Sequence, residues 1–146
     1  MSVPKSKRSV SSVLFLKELR ELEVLMISLQ PRIPKRHYYF FERHILSYAA
    51  EALSCAKEAN SIFIVTEDDY NTRRKLIYRA ITQLQALSSQ LDILYDMRND
   101  KSKSLISDAQ LENSARLISS ITSTLRKVLT KDRSTYKKAM NKTIIE

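Results

Sequence analysis

Between Phe41 and Ile62 apolar side chains return at alternating steps of four and three: Phe41, Ile45, Tyr48, Ala52, Cys55, Ala59 and Ile62. That repeat keeps one seam on one face of a helix, and its alanines let a partner helix come close. The spacing predicts a helix over 35–63. Pro31-Arg32-Ile33-Pro34-Lys35-Arg36 leads into it, with two prolines that preset a turn and disfavour helix in the residues before them. Upstream, Phe15, Leu19, Leu22, Met26 and Leu29 carry the same spacing, with Leu16 and Leu25 widening the seam. A first helix therefore starts near Ser11 or Ser12, either of which is a competent cap, and ends before Pro31.

Ile77, Ala80, Ile81, Leu84, Leu87, Leu91, Leu94 and Tyr95 spread over a wider arc within 68–97, as on a helix facing a bundle interior. Thr66 and Asp69 have capping-box spacing ahead of it, and Glu67-Asp68-Asp69 suits the positive end of a helix dipole. Residues 98–104 are polar and patternless. A second capping-box spacing, Ser107 to Gln110, then opens a last helix whose seam is Leu111, Ser114, Ile118, Ile121, Leu125 and Val128. Four amphipathic helices on short connections predict an all-α, antiparallel up-down-up-down four-helix bundle. Its expected bounds are 11–131, behind a basic N-terminal arm at 1–10. A basic stretch at 132–146 is either a tail or an extension of the last helix.

Composition agrees with a helical chain. There is no glycine, whereas sheets built on tight hairpins need it for positive φ angles. The single cysteine, Cys55, lies on a seam and reads as a small buried hydrophobe. The longest run free of charge, Ala80 to Leu91, is far short of the roughly 20 residues that cross a bilayer. A cytoplasmic protein without a membrane segment is expected.

Charge changes the picture more. Against 16 acidic residues stand 25 lysines and arginines, a formal net charge of +9, which suits a polyanionic partner such as RNA or DNA. An up-down bundle would gather Arg73, Arg74, Lys75, Arg126, Lys127 and Lys131 at one end, together with the basic arm, and leave Lys35 and Arg36 at a second basic corner. These are the candidate nucleic-acid-binding residues. Arg73 projects within about 20° of the Leu84 line. It is either an arginine snorkelling out of the bundle end or a positioned phosphate or subunit contact. Tyr38, Tyr39 and Phe40, beside Arg36, suit an oligomer interface or a surface on which bases stack.

No catalytic constellation emerges. His37 and His44 fall on one helix face but roughly 10 Å apart along its axis, too far to share a metal. Some helical ribonucleases place four to six residues between an arginine and a histidine; Arg36 and His44 have seven between them. No cofactor, metal site or catalytic residue is expected.

Three segments carry a resemblance: Ile33-Pro34-Lys35-Arg36-His37, Arg73-Arg74-Lys75-Leu76 and Ile106-Ser107-Asp108-Ala109-Gln110. Over roughly Val13 to Lys131 the chain resembles the accessory variability determinant (Avd) proteins of diversity-generating retroelements, relatives of the four-helix-bundle proteins encoded in ribosomal RNA intervening sequences. Where that family's fourth helix often ends in a Gly-Gly-Trp-like stretch, this chain has Arg126-Lys127-Val128. The resemblance implies a non-enzymatic, ring-like homopentamer that binds RNA and DNA with little sequence preference. It also implies partnership with a retroelement reverse transcriptase during mutagenic copying of a template RNA. A protein-interaction adaptor whose basic surface docks an acidic partner is the alternative from another class.

Overall fold

The computed structural model describes residues 10–145, with side chains from Leu14 to Lys142. The chain is all-α. Helix α1 spans Val10–Ser28, so Ser11 and Ser12 fall inside its first turn rather than at its cap. Two 3-10 turns, Gln30–Arg32 and Lys35–His37, flank Ile33-Pro34. Helix α2 follows as one rod over 38–60, made of Tyr38–Phe41, a π-helical turn at Glu42–Leu46, and Ser47–Asn60. Helix α3 spans Glu67–Asp96 and α4 spans Asp108–Ile145. At 38 residues α4 is about 57 Å long; residues 132–145 simply continue it. No strand occurs among the described residues, where Arg98 and Ser104 form an isolated bridge.

Helix α1 packs on α2 and α4, α3 packs on α4, and the most extensive contact is between α2 and α3. Phe15, Leu19, Leu22 and Met26 of α1 and Leu29 just after it are essentially sealed, as are Ile77, Ala80, Ile81, Leu84, Leu87, Leu91 and Leu94 of α3 and Ser114, Ile121 and Leu125 of α4. Leu16, Leu25 and Leu76 are half-buried against this core.

The seam of α2 is buried as expected at Phe41, Ile45, Ala52, Cys55 and Ala59 and differs at Tyr48 and Ile62. After Phe41 and Ile45 the buried face runs through Ala49, Ala52, Ala56 and Ala59, with Cys55 beside it, while Tyr48 is only half-buried. The π-helical turn explains the shift, because its wider winding inserts about one extra residue and carries the apolar face from position 48 to 49. Four buried alanines leave little side chain between α2 and the helices it packs on, α3 above all.

Both capping boxes form. Asp69 N–H donates to Thr66 Oγ1 at 3.1 Å while Thr66 N–H donates to the Asp69 carboxylate at 3.0 Å. Gln110 N–H donates to Ser107 Oγ at 3.1 Å, and Ser107 N–H to Gln110 Oε1 at 2.9 Å. The connection from α3 to α4 is more ordered than its sequence suggests. Asn99 Oδ1 accepts from the N–H groups of Lys101 and Lys103, folding the chain back on itself. Ser102, at the tip, has φ of 59° in a chain with no glycine to take that conformation. Leu105 and Ile106 then drop into the core.

Candidate nucleic-acid interface

The basic residues predicted from the sequence fall into sets with different surroundings. Arg73, near the start of α3, turns inward. Its Nε donates to Asp132 Oδ2 at 2.6 Å, and its Nη1 donates to the carbonyls of Ala59 at 3.0 Å and Ile62 at 3.2 Å. The Ala59 carbonyl is in the last turn of α2 and that of Ile62 just beyond it, so one guanidinium joins α2, α3 and α4 at a point where a helix dipole favours a cation. With its Nε and Nη1 engaged inside the protein, Arg73 differs from its neighbours Arg74 and Lys75, which are exposed.

Arg126, Lys127 and Lys131 share the outer face of α4, opposite Ile121, Leu125 and Val128. They line a shallow groove of about 940 Å³ with Lys138 and with Ser119, Thr122, Ser123, Thr130, Ser134 and Thr135. Cations and hydroxyls alternate along it, and no carboxylate interrupts them. The one acid between Glu112 and Glu146 is Asp132, which is buried against Arg73. Lysine and arginine supply charge, and serine and threonine hydroxyls donate to phosphate oxygens without adding charge. Hydroxyls on this face were a signal open to sequence reading, since they recur at helical spacing between the cations.

Lys35 and Arg36 stand elsewhere, in the 3-10 turn between α1 and α2. Arg36 Nη1 reaches Asp100 Oδ1 at 3.2 Å in a largely solvated pair, and Arg32 Nη1 donates to Gln110 Oε1 at 2.7 Å. This corner is thus tied to the α3–α4 connection, whereas Arg73 meets the α2–α3 connection. Lys5, Lys7 and Arg8 of the basic arm lie outside the described residues.

Of the aromatic trio, Tyr39 is exposed and Tyr38 and Phe40 pack against the core. Arg43 donates to the Tyr39 hydroxyl at 2.7 Å and lies 5.3 Å from its ring centroid. Phe40 and Tyr48 bracket the ring of His44 at 5.0 and 6.3 Å, and the buried His44 Nδ1 has no hydrogen-bond partner in the protein. Among the described residues no group of His, Cys, Asp and Glu is arranged to hold a metal ion. Burial pushes the Cys55 thiol above its ordinary range, so it rests as a thiol on the α2 seam.

A second groove, of about 410 Å³, runs between α3 and α4 and is lined by Tyr70, Arg74, Tyr78, Leu129, Thr130 and Arg133. Tyr70 stacks flat on Tyr136 of α4, with centroids 4.3 Å apart and planes 4° from parallel, and the Arg74 guanidinium lies 5.3 Å from the Tyr78 ring centroid. These tyrosines and Arg133 were not among the predicted site residues. Their signal in the sequence is the i, i+4, i+8 series Tyr70, Arg74, Tyr78, which puts all three on one helix face.

Comparison of the chain with family models, with curated proteins and with solved structures returned no match. No helix among the described residues is long and apolar enough to cross a membrane.

Proposed function

We propose that the protein is a non-enzymatic nucleic-acid-binding accessory protein built as an antiparallel up-down-up-down four-helix bundle. The observation that carries the binding role is the stretch of the outer face of α4 from Ser119 to Lys138, where Arg126, Lys127, Lys131 and Lys138 alternate with hydroxyls and no exposed acid intervenes. Sequence-independent binding needs such a surface, because phosphates repeat along every strand and release counterions when neutralised. The antiparallel arrangement is supported by the order of helix contacts and by the cross-helix pairs Arg73 with Asp132 and Arg79 with Glu51. Partnership with a retroelement reverse transcriptase, and assembly as a homopentamer, rest on the resemblance to the Avd family.

Charge reversal of Arg126, Lys127 and Lys131 tests the binding role. RNA and DNA of unrelated sequence should all lose affinity, and the slope of log affinity against log salt should fall by roughly 0.9 per contact removed on duplex DNA. Unchanged binding, or loss confined to one sequence, rejects it. Arg73 is a poor test residue because its loss opens the bundle end; Arg74 with Lys75 is the better pair. For the reverse transcriptase, pull-downs with and without nuclease, repeated with Lys35 and Arg36 reversed, separate an RNA-bridged association from a packed one.

The adaptor reading has an observation of its own. Val24 and Ile27 on α1, and Phe63 and Val65 in the α2–α3 connection, are large apolar side chains more than half exposed, as protein-docking surfaces require. Competition by arbitrary RNA distinguishes the two: it displaces a partner held through the basic face and spares one held through these side chains.

A further inference from the structure

The outer face of α4 offers charge and hydroxyls but no ring on which a base could rest. The groove between α3 and α4 offers both kinds of contact within about 410 Å³, a size within the roughly 300–1,000 Å³ of small-ligand clefts. We propose that this groove holds an unpaired nucleotide, and that the protein therefore distinguishes single-stranded nucleic acid from duplex. The inference rests on the nucleic-acid reading above and adds to it a site and a strand preference.

Arg74 on the α3 wall and Arg133 on the α4 wall provide the phosphate contacts; the Thr130 hydroxyl beside them donates to the Arg126 carbonyl at 3.2 Å and takes no part. Neither arginine pairs with a carboxylate among the described residues. The two acids nearest in sequence are already engaged, Asp69 in the α3 capping box and Asp132 with Arg73. Tyr70 and Tyr78 provide the stacking surface. Tyr70 is held flat by Tyr136, so its ring is oriented before a base arrives and less side-chain freedom is lost on binding. Tyr78 is 44% exposed and carries Arg74 over its ring, which brings a cation next to an aromatic surface as single-strand binding surfaces do. A duplex keeps its bases stacked inside and has no base face to offer these rings. It meets only the cations.

The test is fluorescence anisotropy with oligo(dT), oligo(U) and a DNA duplex of matched length. The chain has seven tyrosines and no tryptophan, so quenching of tyrosine emission by stacked bases is read directly. Wild-type protein should bind the single strands more tightly and show quenching with them alone. Tyr78→Leu, at an exposed position, should weaken single-strand binding roughly ten-fold and leave duplex affinity and salt slope unchanged. Tyr78→Phe and Tyr70→Phe should bind as wild type, because the ring remains. Tyr70→Leu should act like Tyr78→Leu, with its helicity and melting checked because it also unstacks Tyr136. Equal losses on single strand and duplex, or no loss from Tyr78→Leu, overturn the groove while leaving the basic face of α4 as the binding surface. Failure of wild-type protein to bind any of the probes overturns both.

Discussion

Arg73 and Asp132, 59 residues apart, meet with their side chains only 15% and 10% exposed and a 2.6 Å bond between them. Such a pair contributes little by existing, since burial of both charges costs nearly what their attraction returns; the large effect comes from removing one partner. Arg73→Ala strands the Asp132 carboxylate and the α2 carbonyls, and Asp132→Ala strands the guanidinium. Each should cost about 3 kcal/mol in urea unfolding. Arg73→Met combined with Asp132→Leu should recover part of the loss, as no buried charge then remains. Two single variants within roughly 0.5 kcal/mol of wild type would show that the bond is solvated in solution.

The α3 capping box predicts a specific response to acid. The Thr66 N–H, and after it the Val65 N–H, hold the Asp69 carboxyl below its ordinary value of 3.8. A carboxyl with a lower pKa folded than unfolded stabilises the fold above 3.8 and loses that contribution as pH falls through the folded value. Asp69→Asn should therefore flatten the stability profile as pH falls through 3.8 and below. Thr66→Ala, which removes the reciprocal acceptor, should cost about 1 kcal/mol near neutrality. If the Asp69→Asn variant instead gives a profile parallel to that of wild type, the acid sensitivity belongs to other carboxylates.

The alanine face of α2 predicts intolerance of bulk. Ala56 is fully buried on α2, whose contact with α3 is the most extensive between helices. Ala56→Leu should cost about 1–3 kcal/mol by overpacking, whereas Ala50→Leu, on the exposed side, should be near neutral. Thermal melts of the two variants give the comparison, and equal midpoints would contradict the close approach.

Val24 and Ile27 predict assembly. They are 67% and 51% exposed one turn apart on α1, beside a groove of about 670 Å³ that includes Leu25. Light scattering should find a homo-oligomer at micromolar concentration, and Val24→Asp with Ile27→Asp should reduce it to smaller species. A wild-type monomer would remove both the ring and this surface as its contact.

Much of the helical pattern was legible because a four-three repeat can satisfy only one kind of winding: Phe15 to Leu29, and Ile77 to Leu94, are sealed as their spacing predicts. The α2 seam keeps Ala52, Cys55 and Ala59 but takes Ala49 in place of Tyr48 and adds Ala56, because a π-helical turn leaves no mark in a repeat of apolar letters when alanines follow on both candidate faces. Leu105 and Ile106 lie between the polar run at 98–104 and the Ser107 cap, where no periodicity marks them for the core, yet the Asn99 turn folds the chain back and both are buried. For the site, exposed cations such as Arg126 and Lys127 were legible from periodicity alone. Arg73 admits two readings in the sequence that only the positions of Asp132, Ala59 and Ile62 separate, and these come from elements distant in sequence. Tyr70 and Tyr136 were not legible as a pair for the same reason: a stack between helices has no local signature.

The π-helical turn at Glu42–Leu46 also has a consequence at its other end. One residue beyond an α-helical count is worth roughly 100° of rotation, so everything that enters α2 from Ile33 to Phe41 faces a different way than an unbroken helix would turn it. Lys35 and Arg36 thus owe their bearing to the winding of a neighbouring turn, and the bonds from Arg36 to Asp100 and from Arg32 to Gln110 lock that bearing in place. Insertion or deletion of a single residue within that turn would swing the basic corner like a compass needle, re-aiming its charge while every cation stayed the same.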